Sequence, residues 1–338
     1  MTTLRLPTLT PSKLIDGVGR HINYLRLSVT DRCDFRCVYC MADDMTFLPR
    51  HEVLSADELY RLADVFVTAG ISKIRITGGE PLIRPDITTL CTRIAALPGL
   101  QELVLTTNGS RLSALAAPLA AAGVSRINVS LDSLQADRFQ AITRHGKLDQ
   151  VLAGLDTAKS AGFKKIKLNT VVMAGRNQDE VVDLVRYAIK QGFDISFIEE
   201  MPLGDVGRSR GEDFYASSQI RADLAQHFRL QDSDYQSGGP ARYVALTDHP
   251  NTRIGFISPH SNNFCSSCNR LRMTANGRLL MCLGHENSVD FRALLRQHPN
   301  DSRPVLDALY KALQHKPKRH EFVVDELQVV RFMNVTGG

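Results

Sequence analysis

Seven cysteines occur in the 338 residues, and six of them fall into two groups of three. In the first group Cys33, Cys37 and Cys40 are spaced C-x3-C-x2-C, with Tyr39 just before the last. A loop of this length can turn its sulfurs toward one point, as thiolates must to hold a soft metal. Cubane iron–sulfur clusters usually take four cysteines. Three supplied locally leave one iron for a ligand other than protein, the open coordination of a catalytic site. The same residues also allow a zinc ion that borrows a distant ligand, or three free thiols.

The second group is Cys265-x2-Cys268 with Cys282 after thirteen intervening residues. A zinc ribbon needs a fourth ligand, and His260 or His285 lies near enough in sequence to supply one. Asn269, Arg270 and Arg272 follow the pair directly. Guanidinium groups beside thiolates either offset their charge or bind an anion held there. The seventh cysteine, Cys91, falls in a helical pattern and reads as a small buried hydrophobe. Grouped cysteines in so long a chain argue for metal binding rather than disulfides.

These residues must be positioned by alternating strand-like and helical runs. Strands are expected at 23–30, 73–77, 102–107, 126–131, 165–172 and 193–199. Ser55–Glu58 and Asn177–Glu180 have capping-box spacing, and Gly70, Gly123, Gly162 and Gly192 fall where helices should end. Repeated β-α units predict a parallel sheet, open or curled. The strands are not uniformly apolar as fully covered parallel strands are. Alternate residues place Tyr24-Arg26-Ser28, Lys73-Arg75-Thr77, Arg126-Asn128-Ser130 and Lys165-Lys167-Asn169 on one face and aliphatic residues on the other. One face packs on helices, so the polar one must line a solvated or ligand-filled interior. The reading is an α/β fold, a partial (β/α)6 TIM-like barrel whose cationic lumen suits a polyanion. Three loops at strand C-terminal ends carry the functional signals: the first cysteine loop, Gly78-Gly79-Glu80-Pro81, and Thr106-Thr107-Asn108-Gly109.

Beyond Met201-Pro202 the alternation stops. Residues 203–213 read as a loop, 217–228 as a helix, and 243–246 and 253–258 as strands leading to the second triad. The domains expected are an N-terminal segment 1–22, a barrel 23–215, and a C-terminal domain 216–338 carrying the second cysteine triad. No apolar run reaches membrane-spanning length, and the first residues lack a signal-peptide core, so a cytoplasmic protein without a membrane partner is expected. The net charge of +5 is modest. A zinc protein that binds nucleic acid would show a basic surface with exposed aromatics, whereas these cations alternate along strands.

The C-x3-C-x2-C spacing with its aromatic, together with Gly78-Gly79-Glu80-Pro81, resembles the radical S-adenosylmethionine superfamily. That resemblance implies a 4Fe-4S cluster on Cys33, Cys37 and Cys40, with S-adenosylmethionine on the open iron and one-electron cleavage to a 5′-deoxyadenosyl radical. It also implies cofactor contacts at Tyr39, Gly79, Glu80, Ser130 and Met201. The two triads, Asn269-Arg-Leu-Arg272 and the terminal Gly337-Gly338 are similar to the GTP 3′,8-cyclase family of molybdenum cofactor biosynthesis, over nearly the whole chain. Met41-Ala42 departs from the usual Met-Pro without touching a ligand. The family implies a second 4Fe-4S cluster on Cys265, Cys268 and Cys282 that meets the guanine. Substrate contacts are implied at Arg26, Arg75, Thr106, Lys167, Arg270 and Arg272, with the two arginines also serving catalysis. It further implies a low-potential electron donor such as a flavodoxin, a homodimer, and cyclic pyranopterin monophosphate synthase as the next enzyme. A radical enzyme that modifies a peptide, using the second cluster as a relay, is the alternative. The terminal glycines are expected to thread into the barrel mouth.

Overall fold

The structure is a computed structural model and describes residues 14–320, 322–324, 326 and 329–337. Positions 1–13 of the expected N-terminal segment, and Gly338, lie outside the described residues. The strands run β1 Tyr24–Ser28, β2 Lys73–Thr77, β3 Glu102–Thr107, β4 Arg126–Ser130, β5 Lys165–Val172 and β6 Asp194–Glu199. They alternate with α1 Ala56–Thr68, α2 Ile87–Ala95, α3 Leu112–Ala121, α4 Ala136–Thr143, α5 Leu148–Ser160 and α6 Val181–Gln191. All six expected strands are present within two residues at either end.

The C-terminal part contributes α7 Ser217–Ala225, β7 Leu230–Ser233, β8 Arg242–Leu246 and β9 Arg253–Ile257. It continues with β10 Arg270–Met273, β11 Arg278–Leu280, β12 Ser288–Asp290, α8 Phe291–Gln297, α9 Arg303–Gln314 and α10 Met333–Thr336. These strands do not form a sheet of their own. One sheet runs in the order β12-β11-β10-β1-β2-β3-β4-β5-β6-β9-β8-β7. Both β10 beside β1 and β9 beside β6 are parallel neighbours, so the C-terminal part widens the barrel sheet at both edges. The expected boundary at 215/216 therefore falls inside a continuous sheet. Residues 14–22 are tied to the C-terminal part, for Arg20 ion-pairs with Asp16 at 2.6 Å and donates to the carbonyls of Cys265 and Pro317.

The two faces sort as alternation requires. Leu25, Leu27, Ile74, Ile76, Ile127, Val129 and Leu168 are buried in one core with the helices. Burying such side chains contributes about 1.5–3 kcal/mol each before chain entropy is counted. On the other face the register sets Arg26 between Arg75 and Arg272, and Tyr24 between Lys73 and Arg270.

The box at Ser55 forms: its hydroxyl accepts from Glu58 N–H and the Glu58 carboxylate from Ser55 N–H. The one expected at Asn177–Glu180 does not. Asn177 instead accepts from Met173 N–H and donates to the carbonyls of Asp132 and Val171, while Glu180 accepts from Ser133 and Leu134. Both side chains are spent on tying the loop after β4 to the end of β5, and α6 starts without a side-chain cap.

Candidate active site

The first cysteine loop leaves the end of β1 and is gripped from two sides. On one side Gly79 and Glu80 N–H donate to the carbonyls of Thr30 and Arg32, each at 2.8 Å. A side chain at Gly79 would place its Cβ 2.2 Å from the Arg32 oxygen. The glycines thus let backbone approach backbone, whereas the sequence suggested approach to a ligand. On the other side Arg36 and Val38 N–H donate to the end of α4, at Thr143 and Ile142, and Phe35 meets Phe139 edge-on. Asn108 and Ser110 hold Asp34 with two bonds of 2.7 Å.

So braced, Cys33, Cys37 and Cys40 line a cavity of about 100 Å³ with Tyr39, Gly79, Thr106, Ser130 and Asp132. Tyr39 donates to Asp132 at 2.8 Å, and burial pushes the Asp132 carboxyl up to about 6. Burial also pushes all three thiols up, helped by Glu80 at Cys33 and by Asp132 at Cys37 and Cys40. Thiolates in such a site need a compensating cation, which a metal cluster provides. Glu80 stands behind the wall rather than on it. Fully buried, its carboxylate accepts from Leu82 N–H, Thr107 hydroxyl and Asn108 N–H at 2.6–2.9 Å, locking its own loop to the third, while its backbone N–H holds the first at Arg32.

The thirteen-residue spacing of the second triad proves to be a hairpin. Arg272 pairs with Leu280 across β10 and β11, and extending that register sets Arg270 opposite Cys282. Buried Lys316 clamps the base, donating to the carbonyls of Arg270 and Met281. Cys265, Cys268 and Cys282 line a cavity of about 70 Å³ with Arg270, Arg272 and His320. Burial alone would raise the Cys268 thiol, but Arg270 and Lys316 outweigh it and bring the thiol down to about 7. Met201, expected beside the first cofactor, lines this second cavity.

Among the described residues no three His, Cys, Asp or Glu side chains converge on a point that one metal ion could occupy. A cubane does not ask for that, since its thiolates bind different irons and stand apart. Both cysteine-lined cavities fit such a group, and neither His260 nor His285 completes a zinc site. Their Nε2 atoms meet the carbonyls of Glu200 and Arg319 at 2.9 and 3.1 Å.

Between the triads lies the cationic lumen. Arg75 donates to the Tyr24 hydroxyl at 2.5 Å and to Thr106 at 3.0 Å. Lys167 sits 3.4 Å from the Tyr243 hydroxyl, and burial with neighbouring Arg75 pushes it down to about 7. Burial, with Arg75 and Arg270 nearby, lowers Arg26 to about 10, and burial with Arg26 and Arg270 also holds Arg272 well below the usual guanidinium range. The acids nearby are already paired: Glu102 with Lys73 and Arg126, Asp194 with Lys165. Charge of one sign in a low-dielectric interior is an anion site. A cavity of about 860 Å³ shares Tyr235 and Tyr243 with the lumen floor and Pro240 and Phe264 with the second cavity.

The C-terminus enters the same lumen. Asn334 donates to the Asp31 carbonyl, and Arg26 and Arg272 donate to the Gly337 carbonyl at 3.2 and 2.9 Å. Gly337 has a φ of 72° with its would-be Cβ 2.2 Å from Thr77, so no side chain fits. Alternation in the sequence was enough to put Tyr24 and Lys73 on the lumen face, although neither drew attention as a site residue. Asn108 carried a signal in its Asn-Gly turn. Asp132, His320 and Lys316 carried none.

A cysteine loop at the mouth of an open parallel barrel is the architecture of the radical S-adenosylmethionine enzymes, and residues 27–188 match the model of that superfamily. Residues 193–322 match the family model described as Molybdenum Cofactor Synthesis C. The chain is 65% identical to GTP 3′,8-cyclase 1 of Pseudomonas aeruginosa, over 96% of this chain and 99% of that one. It is 60% identical to the GTP 3′,8-cyclase of Pseudomonas entomophila, over 97% and 99%. The chain belongs to the GTP 3′,8-cyclase family. Among solved structures, SuiB of Streptococcus suis bound to S-adenosylmethionine has a TM-score of 0.59 at 16% identity, covering 87% of this chain and 68% of that one, a likeness of fold. No helix among the described residues is long and apolar enough to cross a membrane.

Proposed function

We propose that this chain is a GTP 3′,8-cyclase, converting GTP to (8S)-3′,8-cyclo-7,8-dihydroguanosine 5′-triphosphate for molybdopterin synthesis. One observation carries the reading: a single sheet suspends a row of buried cations between two cysteine triads, in a chain 65% identical to a curated cyclase. Cys33, Cys37 and Cys40 hold a 4Fe-4S cluster that binds S-adenosylmethionine, and Cys265, Cys268 and Cys282 hold a second. When loaded, the first centre would supply the electron for reductive cleavage of S-adenosylmethionine, the source of hydrogen-atom abstraction at C3′.

The remaining work falls to the chain. Arg26, Arg75 and Lys167 take the triphosphate through charge-assisted bonds, and Thr106 fixes the Arg75 guanidinium. Tyr39, anchored on Asp132, together with Gly79 and Ser130 shapes the cofactor wall. Glu80 positions that wall through Leu82, Thr107 and Asn108. Arg270, against Cys268, and Arg272, donating to the Gly337 carbonyl, flank the second centre, where they orient the base and help to exclude water. Met201 closes the base end of the substrate site. Residues 23–215 thus supply the radical centre and 216–338 the second centre. A low-potential flavodoxin-type donor, a homodimeric assembly, a cytoplasmic setting and hand-over to cyclic pyranopterin monophosphate synthase complete the proposal.

Anaerobic reconstitution followed by product analysis with GTP tests it. Formation of the cyclised nucleotide with one 5′-deoxyadenosine per turnover is expected. Cofactor cleavage that GTP does not alter, with no cyclised product, would refute the reading. Modification of a peptide instead would favour the relay alternative, which the buried cations count against.

A further inference from the structure

Of the histidines near the second triad, His320 alone lines its cavity. It lies 38 residues beyond Cys282 in sequence (320 − 282). Its backbone N–H donates to Cys265 Sγ at 3.5 Å. Its ring stacks on Phe322 with centroids 4.3 Å apart and stands edge-on to Phe264 at 6.3 Å. The residue is 7% exposed. Nδ1 accepts the Phe322 N–H at 3.4 Å, so the ring hydrogen of the neutral imidazole is on Nε2. That buried Nε2 finds no acceptor among the described residues.

A buried donor without an acceptor is costly, and native structures rarely keep one without a reason. The other side chains on the cavity wall explain the vacancy. Arg270 and Arg272 are donors only, and Cys265, Cys268 and Cys282 are the residues read above as ligands of a cluster. The acceptor atoms that fit such a wall are the sulfurs of what the thiolates hold. A protonated Nε2 cannot itself ligate iron, and the opposite nitrogen is taken.

We infer that His320 Nε2–H donates a hydrogen bond to a sulfur of the cluster held by Cys265, Cys268 and Cys282, tuning its reduction potential. The inference rests on the reading that this triad holds an iron–sulfur cluster. A hydrogen bond to sulfur draws off negative charge and favours the reduced state, so it raises the potential. His320 is therefore a positioning residue for the second centre, fixed in turn by Phe322 and Phe264.

The test begins in a Cys33→Ala, Cys37→Ala, Cys40→Ala background, which isolates the second centre. Absence of iron and sulfide there refutes the cluster reading itself, independently of His320. With the cluster present, redox titration followed by electron paramagnetic resonance should place His320→Phe at a lower midpoint than the parent. His320→Gln, which offers an N–H at similar reach, should recover most of the shift. An unchanged midpoint in His320→Phe overturns the inference. Pulsed resonance on the same background, with histidine labelled at its ring nitrogens only and no change at 320, decides the case even if His320→Phe loses its cluster. A weak coupling to one histidine nitrogen, absent from His320→Gln, is expected. The strong coupling of a direct iron–nitrogen bond, or no coupling, overturns it.

Discussion

At the scale of single residues, the lumen stores charge that a substrate must complete. Burial would raise the Tyr24 phenol, yet Arg75, Arg26 and Lys73 together bring it down to about 7. Lys167 is pushed down to the same region by burial and Arg75. A bound triphosphate stabilises the protonated form of both, so binding takes up protons. Affinity should be greatest below pH about 7 and fall as pH rises through it, by about a decade or more between pH 6.5 and 8.5. Calorimetry in two buffers of different ionisation heat reads this directly, and proton release on binding would contradict it. Arg75→Ala removes a desolvated charge-assisted bond of about 1.5–3 kcal/mol, which is about one to two decades in GTP affinity. Iron content should be unchanged, because Arg75 touches Tyr24, Leu105 and Thr106 rather than a cysteine.

At the scale of elements, two backbone approaches hold the mouth of the barrel together. Gly79→Ala sets a methyl group against the Arg32 carbonyl, an overpacking that costs about 1–3 kcal/mol. Because that carbonyl belongs to the segment leading into Cys33, the expected loss is of first-centre iron, with second-centre iron retained. Iron counting in a Cys265→Ala, Cys268→Ala, Cys282→Ala background checks it, and full first-centre occupancy would show that the loop tolerates the shift. The tail is the second approach. Leu203 bridges to Val329, and from there residues 329–337 lead α10 into the lumen. Deleting Gly337 and Gly338 should leave both clusters and GTP binding in place while lowering cyclisation. Cyclisation at the parental rate would assign the tail no part in the reaction.

At the scale of the whole molecule, the two triads stand at different positions around one lumen and in opposite electrostatic settings. Acids surround the first, at Glu80 and Asp132, and cations the second, at Arg270 and Lys316. Their losses should therefore differ. Replacing Cys33, Cys37 or Cys40 with alanine should abolish cleavage of S-adenosylmethionine. Replacing Cys265, Cys268 or Cys282 should leave uncoupled cleavage while stopping GTP conversion. Assay of 5′-deoxyadenosine alongside cyclised product separates the two, and equal loss in both groups would mean that the centres act as one.

What the sequence by itself determined is whatever is local along the chain. The period-2 alternation of Lys73-Arg75-Thr77 and Lys165-Lys167-Asn169 assigns a polar face before any neighbour is known, because side chains on a strand must point to opposite sides. The spacing within each triad is equally local, and so are the glycine turns at strand ends. What only the tertiary structure decided is long-range register. Arg272 lies beside Arg26, 246 positions earlier, because β10 pairs with β1 in parallel, and no propensity in either segment encodes that partner. The same holds for Glu80, whose motif suggests a contact with the cofactor and whose carboxylate is committed to Leu82 beside it and to Thr107 and Asn108 on the next loop. Asn177 has the spacing of a cap but does not cap, because its bonds to Asp132 and Val171 exist only once β4 and β5 lie side by side. His320 had no signal at all, since its place on the second cavity depends on the chain returning past α9 after the hairpin has closed. Local rules fix what a segment can present, and packing of distant segments decides what it meets.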